Sequence, residues 1–450
     1  MTTESTNIKT FVESFDPARS GLPGAGLGWL KALREDGIER FEALGLPTPK
    51  LEAWKYTRLK PLEDTRYQPV TDEDGMAALD TVPSLLPDPG GRPRLVFVNG
   101  WMRPNFWIDG DLPDGVHLEG LRDVLETRPD WIRERLGTLA GDDASSLVQL
   151  NTAMMDTGFV LRVEDGVRVE TPIEVIFVGG LTARPVAYSP RNLIVLGKGA
   201  EATVVKYHVG LGAGAYLANS VSDIEVGPGA LLRHYKVQAE AKEATHIHTI
   251  RARVARDATY ESFSLSIGGR LSRNEVSVRL EGEGAHCALN GAYLMRGSEH
   301  CDNTTVIDHL VPHTTCREVF KGVLDDESRA VFVGRIVVHK DAQKTDGYQL
   351  CKTLLLSTGA EIDAKPELEI YADDVKCSHG AATGQLDETA LFYLRSRGVP
   401  EALARNLLVQ SFIGEALEEI SDEVVRQAIT DQVVHWLPAA CYLAEEWRAE

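Results

Sequence analysis

Along the first ninety residues, apolar positions recur at helical spacing. In WLKALREDGIERFEALG, Trp29, Leu30, Leu33, Ile38, Phe41 and Leu44 can share one buried stripe, and Gly45 and Pro47 then break the pattern. Residues 91–165 mix signals: RLVFVNG is a strand ending in a turn, and LRDVLETRPDWIRERLG is helical with Pro129 interrupting it. From 166 to about 375 the helical period disappears. Short Val/Ile/Leu runs alternate there with Gly, Asp and Asn turns, as in IVLGKGAEATVV (194–205), IEVGPGALLRHY (224–235), ARVARDATYESF (252–263) and VRLEGEGAHCAL (278–289). Each is strand, turn, strand.

The four turns start at Gly197, Gly227, Arg256 and Gly282, which are 30, 29 and 26 residues apart. Weaker echoes occur in IVVHKDAQKTDGY (336–348) and LLLSTGAEIDAK (354–365), closer together than the first four. Units that cannot bury a face alone but can when neighbours cover them predict a stacked β-solenoid. A β-sandwich has no reason to repeat one turn grammar at nearly constant period. After residue 384 the period returns to 3.6. ETALFYLRSRG predicts a helix stopping at Gly398, Pro400 suits the first turn of the next, and Ser421 or Asp422 can cap a third. In the helix after Pro400, Leu403, Leu407, Leu408, Phe412, Ala416 and Ile420 form a broad apolar face. The expected organisation is a helical region at 1–90, a mixed connecting region at 91–165, a β-solenoid core at 166–383 and a helical domain at 384–450.

At 450 residues the chain can bury a large core, and its 67 acidic against 47 basic residues give a net charge of −20. That charge opposes attraction to phosphate backbones or anionic lipid, so neither nucleic acid nor membrane is an expected partner. Six cysteines without a CxxC pair do not form a disulfide framework. With no signal-like start and no run of 18 apolar residues, a cytoplasmic protein is expected.

The candidate chemistry centres on KCSHGAATG (376–384), at the hand-over from strands to helices. Residues two apart on a strand share a face, so Cys377 and His379 project together while Ser378 faces away. Packing of a small thiol, ligation of zinc or an iron–sulfur cluster, and a nucleophile with its base all fit that pair. DHLVPHTTC (308–316) offers Asp308, His309, His313 and Cys316, but Pro312 and the β-branched residues argue against the helix a zinc site would need, which favours structural or interface roles. In HIHT (246–249), His246 and His248 share a strand face expected to be a solvated edge or polar coil face rather than a metal site, since only two ligands are local, with Arg251 and Arg253 on the opposite one. His300 and Cys301 are adjacent and point apart. No phosphate loop, dinucleotide fingerprint or nucleophile elbow occurs, so no nucleotide hydrolysis is expected.

The run from Lys344 to Leu417, with AQKTD (342–346), KPELEIYADDVKCSHGAATG (365–384) and FYLRSRG (392–398), resembles the SufB/SufD family of iron–sulfur cluster assembly proteins. LPTPKLEAWKYTRLKPL (46–62), and CSHG where the SufB branch typically has CEHE, are similar to the SufD branch. The resemblance implies a right-handed parallel β-helix flanked by helical regions. It implies a non-catalytic scaffold subunit that pairs with SufB through the β-helices, binds the SufC ATPase through its C-terminal helices, and is linked to iron acquisition. His379 would help hold a transient iron–sulfur cluster shared with SufB, with Cys377 beside it, and nothing would be permanently bound by the isolated chain, which could also self-pair. SufC contacts are expected among Tyr393, Arg395 and Arg397, while Leu407, Leu408 and Phe412 pack, as do Trp54 and Tyr56. The alternatives are a SufB-type scaffold with Cys377 as sulfur carrier, or a β-helix enzyme acting on polysaccharide, which would want clustered carboxylates and export.

Overall fold

The computed structural model describes residues 3–76, 79–86, 90–136 and 145–438. Cys441, and the end of the 384–450 region, lie outside them. Two largely parallel sheets face each other, and the chain alternates between them strand by strand. The first carries Arg191–Leu196, Tyr216–Val226, Ala244–Val254, Leu271–Leu280, His300–His309, Arg329–Val338 and Glu361–Ile370. The second carries Glu201–Leu211, Leu231–Glu240, Thr259–Gly268, His286–Met295, Thr315–Leu324, Asp346–Leu355 and Lys376–Gly384. This is the expected parallel β-helix, of about 8 turns.

The repeated turn grammar has a physical cause. One residue in each successive turn, Gly199, Gly229, Asp257 and Gly284, has a positive φ, of +65°, +67°, +54° and +75°. Glycine adopts that left-handed conformation freely, and Asp tolerates it. The turns also bond to one another: Gly199 N donates to Pro228 O at 2.9 Å, Gly229 N to Arg256 O at 2.8 Å and Asp257 N to Glu283 O at 3.0 Å. The echo at 336–348 continues this column, whereas the one at 354–365 turns on the opposite side of the coil, between Asp346–Leu355 and Glu361–Ile370. Two turn columns were interleaved in the sequence, which explains the closer spacing.

Beside the first turn column the interior is apolar, with Ile194, Leu196, Ala202, Val204, Ile224, Leu232, Val254 and Leu280 in one cluster. The outer face of the first sheet is covered by the N-terminal helices: Leu217, Ile247 and Leu271 pack with Phe11, Phe41, Trp54, Leu147 and Leu150. The outer face of the second is covered from the other end of the chain, where Val205, Val237, Phe263, Ala292 and Leu294 meet Val409, Ile413, Ala416, Ile420 and Ile429.

The helices are close to those expected. Gly28–Leu44 buries Leu30, Ile38 and Phe41, but Leu44, in the last turn, is 61% exposed. Glu388–Ser396 ends at Gly398, with φ of +89°. Glu401–Leu417 follows Pro400, and Asp422 caps Glu423–Trp436 by accepting from Val425 N at 3.1 Å. The face that Glu401–Leu417 buries is Ala404, Val409, Ile413, Ala416 and Leu417. Leu408 and Phe412 are half-buried against the sheet, whereas Leu407 is exposed rather than packed, because the buried side is rotated away from it. Sheet structure also reaches back before residue 166: Arg94–Val98 pairs in parallel with Ile173–Gly180, and Phe159–Val163 with Arg191–Leu196.

Candidate functional site

The last strand of the coil, Lys376–Gly384, pairs on one side only, with Asp346–Leu355. Glu361–Ile370 is likewise the last strand of its sheet. Among the described residues no helix or further strand covers this end, and Tyr371, between the two strands, is 64% exposed.

Register places Cys377 opposite Gly347 and His379 opposite Gln349, so the two candidate side chains share the face directed into the coil. At an interior rung that face would be buried. Here there is no next rung, and His379 is exposed while Cys377 is half-buried against the core. Burial pushes the Cys377 thiol up from its ordinary range, with Gly347's backbone bond opposing.

Beneath the pair run two columns of stacked side chains. Under Cys377 come Gly347, Cys316 and Cys287. A Cβ on Gly347 would lie 3.4 Å from Cys377 Sγ and 3.5 Å from Cys316 Sγ, so the glycine leaves the space between the two thiols clear. Two strand spacings separate those residues by roughly 9.6 Å, too far for a disulfide. Under His379 come Gln349 and Glu318, where Gln349 Nε2 donates to Glu318 Oε2 at 2.6 Å. Burial raises the Glu318 carboxyl to about 7.

The other candidates separate cleanly. DHLVPHTTC forms a strand end, a turn and a strand start. His309 points inward, with Nδ1 2.7 Å from Thr314 Oγ1 and Nε2 3.2 Å from Cys316 Sγ, and burial lowers it to about 4. His313 lies in the turn with φ of +59°, and Asp308 faces His339 on the outside. His300 points outward to Thr57 at 3.2 Å, whereas Cys301 is buried. His246 and His248 are not at a solvated edge: both are fully buried between the sheets. Strand alternation fixed that they share a side but not that the side was the interior. Trp54 is buried under the Arg273 guanidinium, 3.8 Å from its ring, and Tyr56 is half-buried.

On the C-terminal helices Tyr393, Arg395 and Arg397 are exposed, with Arg397 Nη2 donating to Tyr393 Oη at 3.1 Å and Arg395 3.3 Å from Glu401. Beside them Phe392 is 72% exposed, which the sequence reasoning missed. Its neighbour Leu391 is buried, and adjacent helical residues cannot share a face, so the pattern contained the signal.

Among the described residues, the site is a thiol and an imidazole on the uncovered last strand of a parallel β-helix with helical flanks. The description "SUF system FeS cluster assembly, SufBD core domain" matches residues 180–412, and "SufBD protein N-terminal region" matches 5–175. The chain is 32% identical to the iron–sulfur cluster assembly protein SufD of Escherichia coli over 89% of its length and 92% of that protein's. It is 29% identical to an iron–sulfur cluster assembly SufBD family protein of Synechocystis, over 86% of each chain, and 27% identical to SufB of Bacillus subtilis over 69% of this chain and 66% of that protein. The chain belongs to the SufBD family of iron–sulfur cluster assembly proteins, and within it is SufD-like. No helix among the described residues is long and apolar enough to cross a membrane.

Proposed function

We propose that the chain is a non-catalytic, SufD-type scaffold subunit that pairs with SufB through the bare end of its β-helix and carries SufC on its C-terminal helices. The nascent cluster is cargo held between subunits, with His379 as this chain's ligand and Cys377 beside it. The observation that carries this reading is the exposure of His379 on the last rung, next to two sheet edges that a second β-helix can extend by strand addition. An imidazole sealed inside the coil could not share a ligand shell with a partner. Thiolate and imidazole are both iron–sulfur ligands, and two residues leave the remaining positions to the other subunit.

The helices give a route from the ATPase to this end. Glu401–Leu417 lies on Thr315–Leu324, two strands from Lys376–Gly384, through Lys321 to Glu415 and Arg317 to Glu419 at 2.8 Å. A shift of those helices on nucleotide binding would act on the strands beside His379, provided the nucleotide states differ in their contacts with this chain. In the reconstituted complex, His379→Ala should lower assembled iron and labile sulfide while the subunits still co-elute. Normal iron and sulfide in that variant would remove His379 from the site. A cytoplasmic location is part of the same proposal.

A further inference from the structure

The interior of the early coils is not apolar throughout. Away from the first turn column, Lys206, His208, His234, Lys236, His246, His248 and Asn274 are all buried. Within this group three imidazoles converge from opposite sheets. His208 comes from Glu201–Leu211, and His246 and His248 from Ala244–Val254. Their ring centroids are 4.6 Å (His208 to His246), 5.8 Å (His208 to His248) and 5.9 Å (His246 to His248) apart. One nitrogen from each can be chosen so that all three lie within 4.8 Å of one another.

Among the described residues, hydrogen bonds take up one nitrogen of His248, a carboxylate lies beside one nitrogen of His246 at ion-pair distance, and the other nitrogen of each ring is unpaired. Glu240 Oε2 lies 3.0 Å from His246 Nδ1 and accepts from Gln238 Nε2 at 3.2 Å. A carboxylate beside one ring nitrogen favours the proton there and leaves the other nitrogen for a ligand, as behind many metal-bound histidines. His246 Nε2 has no partner. His248 Nε2 is 3.0 Å from Ser222 Oγ and 3.2 Å from Lys206 Nζ, while its Nδ1 has none. His208, 1% exposed, has no hydrogen-bond partner at either ring nitrogen. Leaving a buried polar atom unpaired is costly, so a structure that leaves several facing one another favours whatever satisfies them together.

We propose that His208, His246 and His248 form a structural site for one divalent first-row transition-metal ion of the zinc type, stapling the two sheets together inside the coil. Three imidazoles without a thiolate suit zinc and its neighbours, and a water or hydroxide completes four-coordination. Because the ligands are sealed from solvent, the ion enters as the chain folds and then exchanges slowly. The site is separate from the coil's end and does not depend on His379 or Cys377.

The test uses the full chain carrying Cys377→Ser and His379→Ala, which removes the exposed pair as a competing site. It is expressed in zinc-supplemented and, separately, cobalt-supplemented minimal medium, dialysed against EDTA and analysed for metal by mass spectrometry. The expected result is about one ion per chain in each medium, and visible d–d bands of tetrahedral cobalt with nitrogen and oxygen ligands. Adding His208→Leu or His248→Leu should lower bound metal at least tenfold. Less than about a tenth of an ion per chain in both media, sulfur-to-cobalt charge-transfer bands, or full metal content in the leucine variants overturns the site. Where circular dichroism shows a leucine variant unfolded, the cobalt spectrum of the parent decides.

Discussion

Lys321→Met isolates the joint between the C-terminal helices and the coil. The Lys321 ammonium is 3% exposed, donates to Phe412 O at 2.9 Å and to the Glu415 carboxylate, and lies 4.6 Å from the Phe412 ring centroid. Methionine keeps the apolar stem and removes the charged head. Glu415 is 63% exposed, so the ion pair itself contributes little, and the main loss is the charge-assisted bond to the helix carbonyl. The relief of no longer burying a cation offsets part of that loss, leaving about 1–2 kcal/mol, a factor of roughly 5–30 in local opening. Hydrogen exchange by mass spectrometry should show protection of the Glu401–Leu417 amides falling by that factor, while amides of the solenoid strands keep theirs. The hydrogen bond from Lys321 holds the Glu415 carboxyl below its usual range. Its contribution is therefore present above the ordinary carboxylate pKa and fades as pH falls through the lowered one, so the gap between parent and variant should narrow only slightly in acid, because the bond to Phe412 O remains. Unchanged protection of this helix, or an equal loss over the whole chain, would refute the joint.

Three further outcomes are expected. Glu318→Gln should flatten the pH dependence of stability: a carboxyl raised to about 7 in the fold contributes stability below its unfolded pKa that is lost as pH rises through about 7, so the glutamine variant should gain on the parent at pH 8 in chemical denaturation. Gly322→Ala would press its new methyl into the buried Tyr293 ring, costing about 1–3 kcal/mol, visible as a lower thermal midpoint; an unchanged midpoint would show that the ring can move aside. Phe392→Asp with Arg397→Glu should release SufC from the complex while SufB stays bound, and retention of SufC would place its dock elsewhere.

Much of this architecture could be read from the chain. The column of left-handed turn residues made the coil visible as a period, the Gly398 stop and Asp422 cap marked helix ends, and strand alternation put Cys377 and His379 on one side. What alternation cannot give is which side is the inside. His246 and His248 looked solvated because histidines beside arginines usually are, and only the opposing sheet, with His208 and Lys206 on it, shows that the histidine side is the interior. Leu407 and Leu44 missed for a related reason: an apolar residue near a helical stripe is buried only if a neighbour lies over that sector. The sheet strands at Arg94–Val98 and Phe159–Val163 were not attached to the coil because their partners are tens of residues away and no turn repeat announces them.

The two ends of the coil differ in kind. At the N-terminal end both sheets finish in short reversed strands, Trp101–Met102 against Arg94–Val98 and Val116–Gly120 against Phe159–Val163, whereas the C-terminal end stops with its last strands bare. A rod sticky at both tips would polymerise. If the proposed pairing holds, a rod whose other tip ends in short reversed strands offers a second β-helix a parallel edge at one end only, so assembly would favour a pair over a filament without any separate stop signal.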